Sequence, residues 1–475
     1  MARFRSMNCA VGLIVAAAIT GCGDNLERPG LTANELLYRL RTLPGVTVEA
    51  SVTSLPDVTL YILHFTQPVD HHDPSLGTFQ QEVSLLHRDE RAPVPMVVYT
   101  SGYDDADPNR RVELTKLLDA NQVSIEHRFF GTSRPLPLPT DWTKLTIWQM
   151  AADEHVIIEA LHSIYAGAFV TTGISKGGMT AVFHRRWFPD DVDGTVAYVA
   201  PISFGAPDGR YRAFIASIGP PECRQKVRDV AVQMLKVSRD DMMAHAAQQT
   251  ENTYTRIALG PAVESSIVSL EWTFWQYFGV SQCKTVPAVT VSSDDLFQFL
   301  DRVSPIADND DQKLAVLEPY YYESYTELGY PAADNDYLTP YLWYSDSDYA
   351  NELPVPKPAY DRKVMQDIDD FVEQHGDRLL FVYGGWDPWT AGKFVLGDAQ
   401  RSDVFIQTEG THGAQITSLG RDDRVAALAM IQDWTGVVPI ESRARSAAAE
   451  TAAAETARVP PRMPPALLRA LRAQK

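Results

Sequence analysis

A serine flanked by glycines, Gly173-Ile174-Ser175-Lys176-Gly177, follows the apolar run Ala168 to Thr172 and precedes a helical pattern over Gly178 to Trp187. A strand that turns sharply into a helix at a serine exposes the hydroxyl, and small neighbours let the turn close. The helix N-terminus beneath it favours negative charge that develops during attack. Such a serine can be a nucleophile if an acid and a base join it. When the serine leaves a strand of a parallel sheet in this way, acid and base come later in the chain. Leu379 to Tyr383 reads as a buried strand, and Asp387 follows it after Gly384-Gly385-Trp386. Val404 to Thr408 reads as the next strand and leads into Gly410-Thr411-His412-Gly413. Of the eleven histidines, His412 alone lies C-terminal to Asp387. The order assigns Ser175 as nucleophile, His412 as base and Asp387 as the acid that fixes the imidazole tautomer. The oxyanion requires two backbone N–H donors. One is expected from Lys176, directly after the nucleophile, and the other from the Ser101-Gly102-Tyr103 loop, with Gly102 and Tyr103 as its donors.

These residues need a sheet to carry them. Short apolar strands at Met96 to Thr100, Val123 to Ile125, Ala168 to Thr172 and Gly194 to Val199 alternate with helical spacing at Thr146 to Tyr165 and Gly178 to Trp187. That alternation predicts an α/β protein with a mostly parallel central sheet covered on both faces. Val58 to Phe65 and Phe79 to Leu86 add a β-rich start, joined by a turn-rich connection. From 205 to 360 the alternation stops and the chain becomes helical, aromatic and acidic-looped. The expected architecture is an α/β-hydrolase fold with a large, mainly helical cap insertion. The expected segments are a leader at 1–21, a tether at 22–45 and core at 46–204, then the cap at 205–360, core again at 361–440 and a tail at 441–475. The tail is rich in Ala, Arg and Pro, a composition expected to be disordered.

The 475 residues are 45% hydrophobic, which is ample for a core. The formal net charge of −19 disfavours nucleic acid as a partner, because phosphate binding needs a basic face. Arg3 and Arg5 precede the apolar run Val11 to Ile19, too short for a comfortable bilayer span, and then Ile19-Thr20-Gly21-Cys22. That ending resembles the bacterial lipoprotein cleavage box, in which Cys22 would carry the lipid. The expectation is an exported envelope lipoprotein whose membrane contact is the lipid anchor, or a secreted protein if the box is not used. Cys9 falls in the leader and Cys22 is the lipid site, leaving Cys223 and Cys283. An even pair in an oxidising compartment predicts a Cys223–Cys283 disulfide. Adjacent histidines at His71-His72 and the acidic run Asp308 to Asp311 lack the spacing of metal loops, so neither a metal nor a cofactor is expected.

Three stretches stand out: Gln67-Pro68-Val69-Asp70-His71 with Gly77-Thr78-Phe79, Glu126-His127-Arg128-Phe129-Phe130-Gly131, and Ser175-Lys176-Gly177-Gly178-Met179-Thr180. Together they resemble the secreted tripeptidyl aminopeptidases, serine peptidases of clan SC, and more distantly the lysosomal prolyl carboxypeptidases. Asp208 to Tyr211 and Glu271 to Tyr277 add weaker likeness. The resemblance implies release of short peptides, often tripeptides ending in proline, from free N-termini, and the protein is expected to be a monomer. Such chemistry needs carboxylates near the cleft to accept a substrate ammonium. Glu271 and Glu323 are the expected acceptors, with Trp275 and Gln276 as substrate-binding neighbours. The rival reading from the same fold is a carboxylesterase or lipase, with an apolar cap and no paired acids.

Overall fold

Among the described residues nine strands make one sheet: β1 Val46–Ser51, β2 Thr59–Pro68, β3 Thr78–His87, β4 Met96–Thr100, β5 Asn121–Ile125, β6 Phe169–Ile174, β7 Gly194–Tyr198, β8 Leu379–Gly384 and β9 Asp403–Gln407. The computed structural model describes residues 30–441 apart from 136–140, 333, 346–347, 349–352, 354 and 357. The lipobox at Cys22, the leader and the tail beyond 441 therefore lie outside the described residues.

The sheet order is β1-β2-β3-β5-β4-β6-β7-β8-β9. β1, β2, β3 and β5 pair antiparallel in turn. From β5 through β4, β6, β7 and β8 to β9 every pairing is parallel. β4 thus sits between β5 and β6, and the chain reverses its direction of travel across the sheet there. In open parallel sheets ligands bind at the carboxyl ends of strands beside such a reversal. The arrangement is that of an α/β hydrolase. Alternate residues of each strand serve opposite faces, as a two-residue period requires. Val97, Val170, Val196 and Leu380 pack with helices Glu113–Leu118 and Arg421–Thr435. Met96, Val98 and Phe169 pack toward helix Ile147–His162 on the other face.

Between β7 and β8 the chain is helical: Arg210–Ile215, Pro221–Lys236, Arg239–Ala246, Leu259–Thr273, Ser293–Val303, Asp311–Glu323 and Arg362–His375. Its apolar faces join the sheet's own core, so Val230, Ile267 and Leu300 share one cluster with Phe381 and Tyr383. Two of these helices, Leu259–Thr273 and Asp311–Glu323, run on into π-helical turns, Phe274–Phe278 and Ser324–Leu328. Each π turn stops at a glycine with positive φ, Gly279 and Gly329. Cys223, on the second helix, is bonded to Cys283 with their Cα atoms 5.5 Å apart.

One expected segment differs. The residues read as a polar tether include helix Ala33–Thr42, capped by Thr32 and Glu35. Leu36 and Leu40 on it are fully buried against Tyr61 and Leu63 of β2. Leu37 and Leu43 pack beside them, so the apolar face recurs at helical spacing, a signal the reading as a polar lead-in passed over.

Candidate active site

Ser175 stands at the end of β6 with φ 56° and ψ −123°, a conformation side chains other than glycine rarely adopt. Its N–H donates to Tyr198 O at 2.8 Å, which holds the turn against β7. The flanking glycines are required by contact. A Cβ on Gly173 would come within 2.2 Å of the Gly177 backbone, and one on Gly177 within 2.2 Å of Thr100 O. No side chain fits where the helix start is pressed between β6 and β4. The strain is thus fixed by packing around it, and helix Lys176–Trp187 points its N-terminus at the hydroxyl.

Asp387 and His412 follow the carboxyl ends of β8 and β9, parallel to β6 in the same sheet. Asp387 is fully buried, and its Oδ2 lies 2.6 Å from His412 Nδ1. Its Oδ1 accepts the Trp389 N–H at 3.1 Å. A carboxylate facing Nδ1 requires that nitrogen to carry the proton, which leaves a lone pair on Nε2. His412 Nε2 is buried and has no hydrogen-bond partner among the described residues. The His412 N–H donates to Gln276 O at 2.8 Å, so the π turn Phe274–Phe278 holds the histidine loop from the other side.

The three amides expected at the oxyanion position are not equivalent. The Tyr103 N–H donates to Ser101 Oγ at 3.0 Å. Its place as an oxyanion donor is corrected on that ground: its hydrogen is already used within its own loop. The Gly102 and Lys176 N–H groups have no acceptor among the described residues. Gly102 has φ 74°, and a Cβ there would meet Gly177 N at 2.7 Å and Lys176 C at 2.8 Å. Only glycine can bring this loop so close to the start of the helix.

The expected amine acceptors are both buried and both already paired. Glu271 receives Arg228 Nε at 2.8 and 3.0 Å, and Arg228 also donates to Asp334 Oδ2 at 3.0 Å. Burial pushes the Glu271 carboxyl up to about 7 even against Arg228. Glu323 lies 2.9 Å from Lys176 Nζ and 3.2 Å from His127 Nε2. Burial would raise its carboxyl, but Lys176 and His127 hold it below the ordinary range, as an anion. Trp275 is fully buried, edge-on to Trp386, and Gln276 turns its side chain to Trp272 and Tyr277. Trp275 therefore packs the interior beneath the site and presents no surface to a ligand.

Two of the stretches that carry the family resemblance meet around a residue that sequence reasoning passed over. Asp153, fully buried on helix Ile147–His162, receives Arg128 Nε at 2.6 Å and Nη2 at 2.7 Å. It also meets His71 Nε2 at 2.7 Å. So the Gln67-to-His71 and Glu126-to-Arg128 stretches are joined through one carboxylate. Glu126 in turn accepts the N–H groups of Thr132 and Ser133, both at 2.9 Å. An aspartate on the buried face of a predicted helix was the available signal, since an acid there demands a partner.

The model of the PS-10 peptidase S37 family matches residues 31–466. A prolyl tri/tetrapeptidyl aminopeptidase of Streptomyces mobaraensis is 39% identical over 439 residues, 90% of this chain and 90% of that protein. The mouse lysosomal Pro-X carboxypeptidase is 31% identical over 34% of this chain and 37% of its own. Among solved structures, acetyl xylan esterase 1 of Thermoanaerobacterium sp. JW/SL YS485 aligns over 84% of this chain and 92% of its own, at 10% identity and a TM-score of 0.37.

Proposed function

The chain belongs to the PS-10 peptidase S37 family, and from that membership we propose that it releases tri- and tetrapeptides, proline-ending ones among them, from free N-termini. Ser175 attacks the scissile carbonyl while His412 takes its proton, and Asp387 holds the imidazole and stabilises the imidazolium. The Lys176 and Gly102 amides receive the oxyanion, an acyl-enzyme forms, and His412 returns the proton to the leaving amine. Water then attacks the acyl group with His412 again as base.

The observation that carries the chemistry is the buried Asp387–His412 contact of 2.6 Å with Nε2 unpartnered, on the sheet edge where Ser175 also stands. The likeness to the Streptomyces aminopeptidase over 90% of both chains carries the peptide specificity. We read residues 205–360 as a cap over the cleft. Glu271 and Asp334 share the single guanidinium of Arg228, and a substrate ammonium brought beside them would favour the ionised form of the Glu271 carboxyl that burial otherwise raises. Buried acids of this kind also disfavour the esterase reading, which calls for an apolar cap. The Cys22 box and the Cys223–Cys283 bond support an exported lipoprotein; among the described residues no helix is long and apolar enough to cross a membrane.

A fluorogenic tripeptide ending in proline tests the reading. It should be cleaved with a free N-terminus and spared when acetylated. Equal turnover of both forms removes amine recognition, and turnover of acyl esters alone makes the esterase reading correct.

A further inference from the structure

The side chain of Lys176 takes no part in the steps above, yet it is buried to 2% exposure directly beside the nucleophile. Its Nζ donates to Gly102 O at 2.6 Å and lies 2.9 Å from Glu323 Oε2. It also stands 5.4 Å from the ring centre of Tyr103 and 5.3 Å from that of Phe130. The other Glu323 oxygen faces His127 Nε2 at 3.2 Å. One ammonium therefore ties together the nucleophile turn, the Gly102 loop and the end of helix Asp311–Glu323 from the segment between β7 and β8.

We infer that Lys176 and Glu323 are positioning residues for the oxyanion hole: the buried pair clamps the Gly102 carbonyl and so aims the Gly102 N–H at the site. A glycine with positive φ has little of its own to hold it, and the neighbouring amide of Tyr103 turns back into the loop. On its outward side the loop is held by Ser101 Oγ to Tyr103 O at 2.7 Å, by the Tyr103 N–H to Ser101 Oγ and by the His127 N–H to Tyr103 O at 2.9 Å. At its base Thr100 Oγ1 donates to Gly177 O, but it is the Lys176 ammonium that reaches the Gly102 carbonyl itself from the nucleophile helix. That ammonium needs a counter-ion to be buried at all. Glu323 supplies it, fixed in turn by His127. On this assignment Glu323 serves the core machinery rather than the substrate amine. Two charges that cancel would also be a poor receptor for a third.

The inference rests on Ser175 being the nucleophile, and the test separates the two. The double variant Lys176→Met/Glu323→Gln removes both charges, so no unpaired ion is left buried, and the carboxamide NH2 introduced by Glu323→Gln can donate to Nε2 of a neutral His127, whose Nδ1–H donates to Arg128 O at 2.8 Å. With a tripeptide substrate, kcat should fall by about 10²-fold, the usual cost of losing an oxyanion donor, with KM within about 3-fold. A peptide boronic acid, which binds as a tetrahedral adduct, should weaken by a similar factor, while the product tripeptide binds as before. Merely structural damage would instead lower the melting temperature and the active fraction without that split. A double variant with kcat and boronate affinity within about 3-fold of the wild type overturns the inference. Should it not fold, Glu323→Gln alone decides, with a smaller loss in kcat expected and unchanged kinetics refuting. Fluorophosphonate labelling of the wild-type protein, abolished by Ser175→Ala, stands as the control. Labelling elsewhere takes down the functional reading together with this one, whereas normal labelling with unaffected variants takes down only the clamp.

Discussion

Asp387→Asn isolates the tautomer on which the whole mechanism turns. In the wild type, Oδ1 accepts the Trp389 N–H at 3.1 Å and Oδ2 faces His412 Nδ1 at 2.6 Å. An asparagine in the same place has one acceptor and one donor. The buried Trp389 amide needs the acceptor, so the carboxamide oxygen stays with Trp389 and its NH2 group faces the imidazole. His412 must then accept at Nδ1 and carry its proton on Nε2, the nitrogen that should take the proton from Ser175. The side-chain volume hardly changes and every local contact finds a complementary partner. The fold should therefore persist while kcat falls by about 10⁴, the loss seen when a triad aspartate is so replaced. At 1.36 kcal/mol per decade this is roughly 5 kcal/mol of transition-state stabilisation. The assay is steady-state cleavage of the free-amine tripeptide, with thermal unfolding and fluorophosphonate labelling beside it. Slow labelling, a near-native melting temperature and a collapsed kcat are expected. A loss below about 10-fold would mean that the Asp387–His412 pair does not set the reacting tautomer.

Three further outcomes follow from the packing. Replacing both Cys223 and Cys283 by serine opens a loop whose ends are 60 residues apart, and should lower stability by about 4 kcal/mol in the chain-entropy model, read by urea denaturation. Arg128→Met strands the fully buried Asp153 carboxylate; a cost of about 3–5 kcal/mol is expected, and a variant of wild-type stability would show that the joint between the two N-terminal motifs is dispensable. Burial raises the Glu327 carboxyl to about 7, although it accepts the Ile147 N–H at 2.7 Å. A carboxyl raised on folding holds its proton in the native state, so its contribution is present below its unfolded value of 4.5 and is lost as pH rises to about 7. Glu327→Gln should remove that decline, on the order of 2 kcal/mol, from stability measured at pH 5 and pH 8.

The part of the site that depends on local geometry and chain order can be read from the residues alone. The Gly173-to-Gly177 run is legible because a strained turn under two strands admits no side chains at its flanks, a requirement written in adjacent residues. Asp387 and His412 are legible because parallel strands place their following loops at one edge in a predictable succession. With Cys9 in the expected leader and Cys22 read as the lipid site, Cys223 and Cys283 were left to pair with each other. Tertiary structure alone decided which distant groups meet. Nothing local says that Lys176 finds Glu323, that Arg228 occupies Glu271, that Trp275 is enclosed, or that Asp153 gathers His71 and Arg128. Those partners lie on different elements, and a buried charge advertises its need for a counter-ion without naming it. The Tyr103 amide shows the same limit at short range: whether an N–H turns outward or back to Ser101 depends on how the loop packs against the Lys176 helix. Composition and periodicity fix the faces of elements; the closing of one element on another selects the pairs.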